Sequence, residues 1–345
     1  MQGLFKAIGE ASSVAVISGR SLDAVMASAL LFDYLASSGL NASMSLQDYT
    51  ISLEGHAELT IHVGTGYPSS GARDGHLFID YAFKNGSPQG YISVSGSISR
   101  AVFRETGYGT KHAVEVGELD PFLKAPHALL PDDLFASDIY AIACPPLPGA
   151  INSKEELAEK SSSKELLVKA AEELLRRAGF SLELSFGVDR RVFAEANAIT
   201  RELFKKQGDA AAMAFLVERG GVIRYEPDSL LLENLKQFFN HSDSWLIVNA
   251  KVGSLVLLPS SFPPTYYICP ALPVVACFGD SKLPAFILEP VSDDRVFLWG
   301  LGNDFDFNEV VSMISKYGGS GLVSGRRVWA EFPHSAIEMA NLLEE

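Results

Sequence analysis

Cysteine is scarce in this chain. Its 345 residues include three, Cys144, Cys269 and Cys277, and no two form a Cys-x-x-Cys pair. An odd, widely spaced set excludes a disulfide framework and a zinc ribbon, and it fits a reducing, cytoplasmic setting. Long apolar runs are missing as well. No segment approaches the roughly 18 consecutive apolar residues that span a bilayer. The opening MQGLFKAIGEASS lacks the apolar core of a signal peptide, so no membrane partner is expected. Positive charge is also in short supply: 28 Lys and Arg face 42 Asp and Glu, for a net charge of −14. Nucleic-acid binding draws most of its affinity from neutralised phosphates, which excludes strong autonomous DNA binding as an expectation. No G-x-S-x-G, P-loop or G-x-G-x-x-G signature offers another chemistry.

What is present is core material. The chain is 47% apolar and 20% charged, which rules out general disorder and supports buried cores. At about 150 residues per domain, the length suggests roughly two domains. Residues 13–18 (SVAVIS) predict a buried strand. Residues 21–37 follow at helical period, with Ser21 as N-cap. Ala24, Ala27, Leu31 and Leu35 share one face, and Asp33 is expected to point away. Further strands are predicted at 41–46, 58–63, 76–80 and 90–94, and helices at 97–106 and 132–144. Apolar strands separated by helices argue for a parallel α/β sheet.

Residues 145–163 read as a linker, and 164–178 as a helix capped by the serines at 161–163. Further helices are predicted at 191–206, 209–219 and 228–239. The pattern then changes to short β-type runs at 244–250, 253–258, 273–277, 284–288 and 295–299, with helices at 307–317 and 334–344. The expected organisation is an α/β domain over 1–150, a helical connector over 151–240 and an α+β domain over 241–345.

Four segments in order resemble the DHH phosphoesterase superfamily, which includes the RecJ single-strand nucleases. VAVISGRSLDAVMASALLFDYLASSG (14–39) is similar to the first motif, a strand, a His/Asp-rich loop and a helix with a serine at the position of Ser28. LTIHVGTG (59–66) is similar to the second, a strand ending in a metal-binding Asp. HLFIDYAFKNG (76–86) is similar to the third, the Asp-His-His that names the family. VVSMISKYGGSGLVSGRRVW (310–329) resembles the helix and Gly-Gly-x-His segment of the C-terminal associated domain. The resemblance implies a doubly wound parallel sheet of the DHH type, followed by a smaller α+β domain of the DHH-associated type.

The departures carry the functional expectation. Two-metal hydrolysis needs several Asp and His ligands around two cations, manganese being the usual ion of the family. The family's first-motif His falls here at Gly19, and its aspartates near Leu22 and Ala24, or near Ser21 if the frame shifts. Asp23 remains, in an uncertain register. The second-motif Asp falls at Gly64. Asp-His-His has become Asp80-Tyr81-Ala82, and the Gly-Gly-x-His histidine falls at Gly321. So few carboxylates cannot hold two divalent ions against water. No metal, no cofactor and no catalysis are expected of this vestigial site. His62, two residues before Gly64, has two readings: a displaced ligand, or a strand histidine satisfied by a nearby carbonyl, and the second is the expectation.

The resemblance extends to archaeal replisome proteins that correspond to the eukaryotic replication factor Cdc forty-five, which joins the MCM helicase ring to the GINS complex. Some of these relatives have lost their nuclease ligands. The implied role is a non-catalytic subunit of the replicative helicase assembly, with GINS and MCM as partners. The acidic stretch at Asp132-Asp133, the Pro-rich segment 260–273 (with Phe262, Tyr266 and Tyr267) and the final acidic helix are candidate partner surfaces. For the Pro-rich segment and the final helix, the plain reading of a loop and a helix folded on their own core is preferred. A second reading is a single-strand DNA module. Gly318 and Gly319 would cradle a phosphate with backbone N–H groups, and Arg326 or Arg327 would clamp it. As strand neighbours these arginines should point opposite ways, so only one would face a groove. A third reading is a nuclease or phosphoesterase with a rearranged site built from Asp23, His62, Asp80 and Asp138.

Overall fold

A computed structural model describes residues 2–47, 57–120, 190–204, 209–223, 246–250, 253–257, 285–301 and 305–344. Helix α1 (Gln2–Glu10) leads into β1 (Ser13–Ser18), α2 (Leu22–Ser37) and β2 (Asn41–Leu46). Next come β3 (Leu59–Val63), β4 (Tyr67–Pro68), β5 (His76–Tyr81) and β6 (Tyr91–Val94), followed by α3 (Ile98–Thr106) and α4 (Lys111–Gly117). Helices α5 (Arg190–Phe204) and α6 (Ala210–Glu218) follow. Strands β7 (Leu246–Ala250), β8 (Gly253–Leu257), β9 (Ala285–Ser292) and β10 (Arg295–Leu301), helix α7 (Phe307–Lys316), strands β11 (Ser320–Val323) and β12 (Arg327–Phe332), and helix α8 (Ala336–Glu344) complete the described chain.

The first lobe is a five-stranded sheet in the order β2-β1-β3-β5-β6. Every pairing in it is parallel. This is the α/β sheet that the apolar strands and intervening helices predict. Central β3 is buried along its whole length, whereas edge strand β2 alternates exposed and half-buried residues. That gradient is what a parallel sheet covered on both faces requires.

Ser21 caps α2 by accepting from the Ala24 N–H, as its position before the apolar run predicts. The expected outward face is corrected. Asp33 is buried and held by both arms of Arg219, at 2.7 and 2.9 Å. The reason is packing: α3, α4 and α6 cover the side of α2 that the sheet leaves open. A helix apolar nearly all round is an interior helix. Helices α5 and α6 belong to this cover; Arg20 ties β1 to it by donating to the Leu203 carbonyl at 3.0 Å.

The second lobe is a seven-stranded sheet in the order β4-β11-β12-β10-β9-β8-β7. It is antiparallel except for the β8–β9 pair. Its core gathers Phe286, Leu298, Ile314, Phe332, Met339 and Leu343. The terminal helix α8 buries Met339 and Leu343 across this sheet, so it has the ordinary role preferred for it. One edge strand comes from elsewhere. The dipeptide of β4 lies between β3 and β5 in sequence, yet it pairs with Leu322 and Val323 of β11. Pro68 is tolerated there because an edge position does not need its missing donor.

Candidate functional site

Parallel register sets the carboxyl ends of β1, β3 and β5 side by side. Ser18 lies opposite Val63, and Val63 lies opposite Ile79. Gly19, Gly64 and the run Asp80-Tyr81-Ala82 therefore collect at one end of the sheet, where open α/β sheets bind ligands. Asp23 joins them from the first turn of α2: its Oδ2 accepts from the Tyr81 hydroxyl at 3.3 Å. His62 does not join them.

The two glycines are in contact. Gly19 N–H donates to Val63 O at 2.8 Å, and a Cβ on Gly19 would overlap the Gly64 carbonyl oxygen. A Cβ on Gly64 would lie 2.6 Å from the Ala24 Cβ, and Gly64 has φ of +62°. A side chain at either position meets backbone or the body of α2, neither of which can swing away. The backbone has closed over the two positions where the family pattern places a His and an Asp. Gly321 is similar, since a Cβ there would come within 2.6 Å of the Trp329 carbonyl oxygen.

The remaining carboxylates are fully engaged. Asp23 Oδ1 accepts from the hydroxyls of Ser97 and Ser99 (2.8 and 2.6 Å) and from Ser99 N–H (3.1 Å). Its Oδ2 accepts from Ile98 N–H at 2.6 Å. Ser97 is the N-cap of α3, so Asp23 serves as the anion at that helix N-terminus. Burial, and then the charge of Asp120, push its carboxyl up to about 6, against the lowering effect of the Ser99, Ser97 and Ile98 donors.

Asp80 accepts from Gly66 N–H at 2.7 Å and from Tyr81 N–H at 2.8 Å. Burial raises its carboxyl above the usual range, and the charge of Arg327 and those two donors offset part of the rise. Arg327 enters from β12. Its guanidinium donates to Gly64 O at 2.8 Å, 5.1 Å from the Trp329 ring centroid and 5.9 Å from that of Tyr81. A cation carried by the chain thus occupies the end of the sheet, against the acid-flanked turn 64–66.

Two divalent cations do not fit these residues. Tyr81 and Ala82 offer no imidazole, the positions at Gly19 and Gly64 are closed, and an arginine reaches the turn beside Asp80. Among the described residues, no three His, Cys, Asp or Glu side chains come together as a cation site. His62 is satisfied by a ring nitrogen and not by the expected carbonyl. Its Nε2 hydrogen-bonds His76 Nδ1 at 2.9 Å, and its ring stacks on Phe78 at 4.4 Å. Register explains this. His62 pairs with Phe78 two residues below the site, and His76 begins the neighbouring strand. Asp138 lies outside the described residues, as do Asp132-Asp133, the Pro-rich segment 260–273, and the predicted helices at 132–144, 164–178 and 228–239.

The DNA-contact expectations change as well. Arg326 and Arg327 do not point apart: both guanidinium carbons lie within 6 Å of the Tyr81 ring, at 5.8 and 5.9 Å. Arg326 sits in the turn before β12, so strand alternation does not apply to it. Arg327 is 5% exposed and offers no surface clamp. The N–H groups of Gly318 and Gly319 donate to Ser315 O and Ile314 O, closing α7 instead of cradling an anion.

Solved structures of CDC45 and RecJ align with the chain at TM-scores below 0.5. CDC45 from Entamoeba histolytica aligns with 9% identity and a TM-score of 0.48, over 99% of this chain and 96% of that one. RecJ from Thermus thermophilus, solved in complex with Mn2+, aligns with 13% identity and a TM-score of 0.46, over 98% of this chain; the chain spans 52% of its length. A DHH domain described as a member of the s1p family of ribosomal proteins aligns with 11% identity and a TM-score of 0.41, over 100% of this chain and 88% of that one. No protein-family profile matches the chain, and no curated protein sequence does. At such identities no residue role transfers, and the strand order and site geometry stand on their own.

Sequence reasoning missed several of the groups that make this site. Ser97 and Ser99 announce themselves only as a helix start, which is what they are; that their helix holds Asp23 has no sequence signal. Asp120, whose Oδ2 accepts from Asp23 N–H at 2.7 Å, has none either.

Proposed function

We propose that this chain is a non-catalytic RecJ-like protein, a structural subunit of a replicative helicase assembly that joins an MCM ring to a GINS complex. The observation that carries the non-catalytic half is the mutual closure of Gly19 and Gly64. It removes two ligand positions sterically, and no side-chain change alone restores them. The engagement of Asp23 by the α3 N-terminus and of Asp80 by the turn at Gly66 supports the same reading. The replication setting rests on the ordered motifs at 14–39, 59–66, 76–86 and 310–329.

Single-strand DNA contact between the lobes is the weaker reading, because Arg327 is buried, the N–H groups of Gly318 and Gly319 are spent on the end of α7, and the acidic balance opposes phosphate binding. Two measurements test the proposal. The purified chain, mixed with recombinant GINS and MCM, should co-elute with GINS in gel filtration; failure to associate with either sinks the scaffold role. A 5′-exonuclease assay with labelled single strands and manganese should show no turnover. Turnover lost in Asp80→Asn but retained in Arg100→Ala would establish a rearranged catalytic site instead.

A further inference from the structure

The turn Gly64-Thr65-Gly66 is gripped at both ends by opposite charges. Asp80, from the first lobe, takes the Gly66 N–H; Arg327, from the second, donates to the Gly64 carbonyl. Around this turn the lobes interlock. A Cβ on Gly325 would overlap the Ala82 carbonyl oxygen, and Phe305 N–H donates to Gly325 O at 2.7 Å. Lys84 N–H reaches Phe305 O at 3.3 Å, and Asn85 hydrogen-bonds Asp306. Three residues beyond Gly64, β4 is already an edge strand of the second sheet. Ser69 extends that pairing by donating to Gly321 O at 2.9 Å and accepting from Gly321 N–H at 3.1 Å. The aromatic rings of Tyr67, Phe83, Tyr91 and Phe307 pack edge to face or tilted across the same seam, with centroids 4.9–5.8 Å apart.

We propose that Arg327 is a built-in cation that takes over the charge-balancing part of the absent metal pair and locks the two lobes into one rigid body. An enzyme that threads a strand between two lobes needs a cleft that stays open or can open. Here the cleft floor is backbone in contact with backbone, and its charge is balanced by a residue of the opposite wall. A buried guanidinium between a carbonyl, a carboxylate's field and two aromatic faces cannot leave without stranding its charge in low dielectric. The lock therefore opens only when the molecule unfolds. This stands whether or not the chain works in a helicase assembly.

Two experiments on the full-length chain test the lock. The first is native-state hydrogen exchange on the unmodified protein. The amides of Tyr67, Ser69 and Gly321, which cross or flank the seam, should exchange as slowly as those of β3 and β12. Exchange faster by about 100-fold or more would show that the lobes part in the native state and would overturn the proposal. The second is a double-mutant cycle in urea with Arg327→Met, Asp80→Asn and the pair. Each single change leaves one buried charge without its counterpart, so the double variant should lose less midpoint than the two losses added together. Additive losses would remove Arg327 as the counter-charge of Asp80. If Arg327→Met does not fold, the exchange rates of the unmodified chain decide.

Discussion

Asp23 Oδ2 accepts the Ile98 N–H at 2.6 Å, so a carboxylate from the first turn of α2 holds the first turn of α3. This acid does the work of a helix cap. Asp23→Ala would leave two backbone N–H groups and three hydroxyls, those of Ser97, Ser99 and Tyr81, without this acceptor. We expect a loss on the order of 2–4 kcal/mol in urea unfolding. The pH profile carries a second signature. The folded-state value of Asp23 is raised, so its contribution is complete below the ordinary value of 3.8 and is lost as pH rises through about 6. Asp23→Asn should remove that segment of the profile; an unchanged profile would contradict the assignment.

His62 behaves in the opposite sense. Burial and then His76 hold its ring down at about 3, against an ordinary 6.5. A depressed value means stability that is present above 6.5 and lost as pH falls toward 3. His62→Phe keeps the stack on Phe78 and has no ring to protonate. Its acid unfolding, followed by circular dichroism, should begin at lower pH than that of the unmodified chain.

Glu218 is buried at the end of α6, beside Asp33 and Arg219. Burial and the hydrogen bond to Asp33 raise its carboxyl to about 7. Protonated, it donates to Asp33. The stabilisation is complete below the ordinary 4.5 and is lost as pH rises through about 7. Glu218→Gln keeps a donor at all pH values. It should be neutral at pH ~5 and stabilising at pH ~8, read as the thermal midpoint at each pH.

Gly64→Ala should destabilise by about 2–4 kcal/mol, from a Cβ driven into Ala24 and a left-handed backbone that alanine resists. Placing a histidine and an aspartate on the cleft floor with Gly19→His and Gly64→Asp should unfold the chain, not create a metal site. Manganese should give the double variant no rise in thermal midpoint. A manganese-dependent rise would show that the floor of the cleft can open after all.

The strands and helices of the first lobe were legible because their signals are local. SVAVIS, LTIHV and HLFID are apolar runs of strand length, and Ser21 stands where an N-cap stands. The fate of Asp33 was not. Helical periodicity places it on a polar face, and only the arrival of α6 with Arg219, 186 positions later, turns that face inward.

The chain's own letters determine the glycines at 19 and 64, the seven histidines and the acidic balance. They could not say how the carboxyl end of the first sheet is packed. That depended on β4 crossing to the second sheet and on β12 delivering Arg327 to Gly64, a contact between residues 263 positions apart. Side-chain identity is written one residue at a time, but the distance between two distant backbones exists only once both sheets are packed. Tertiary packing therefore decided that the carboxyl end of the first sheet is filled.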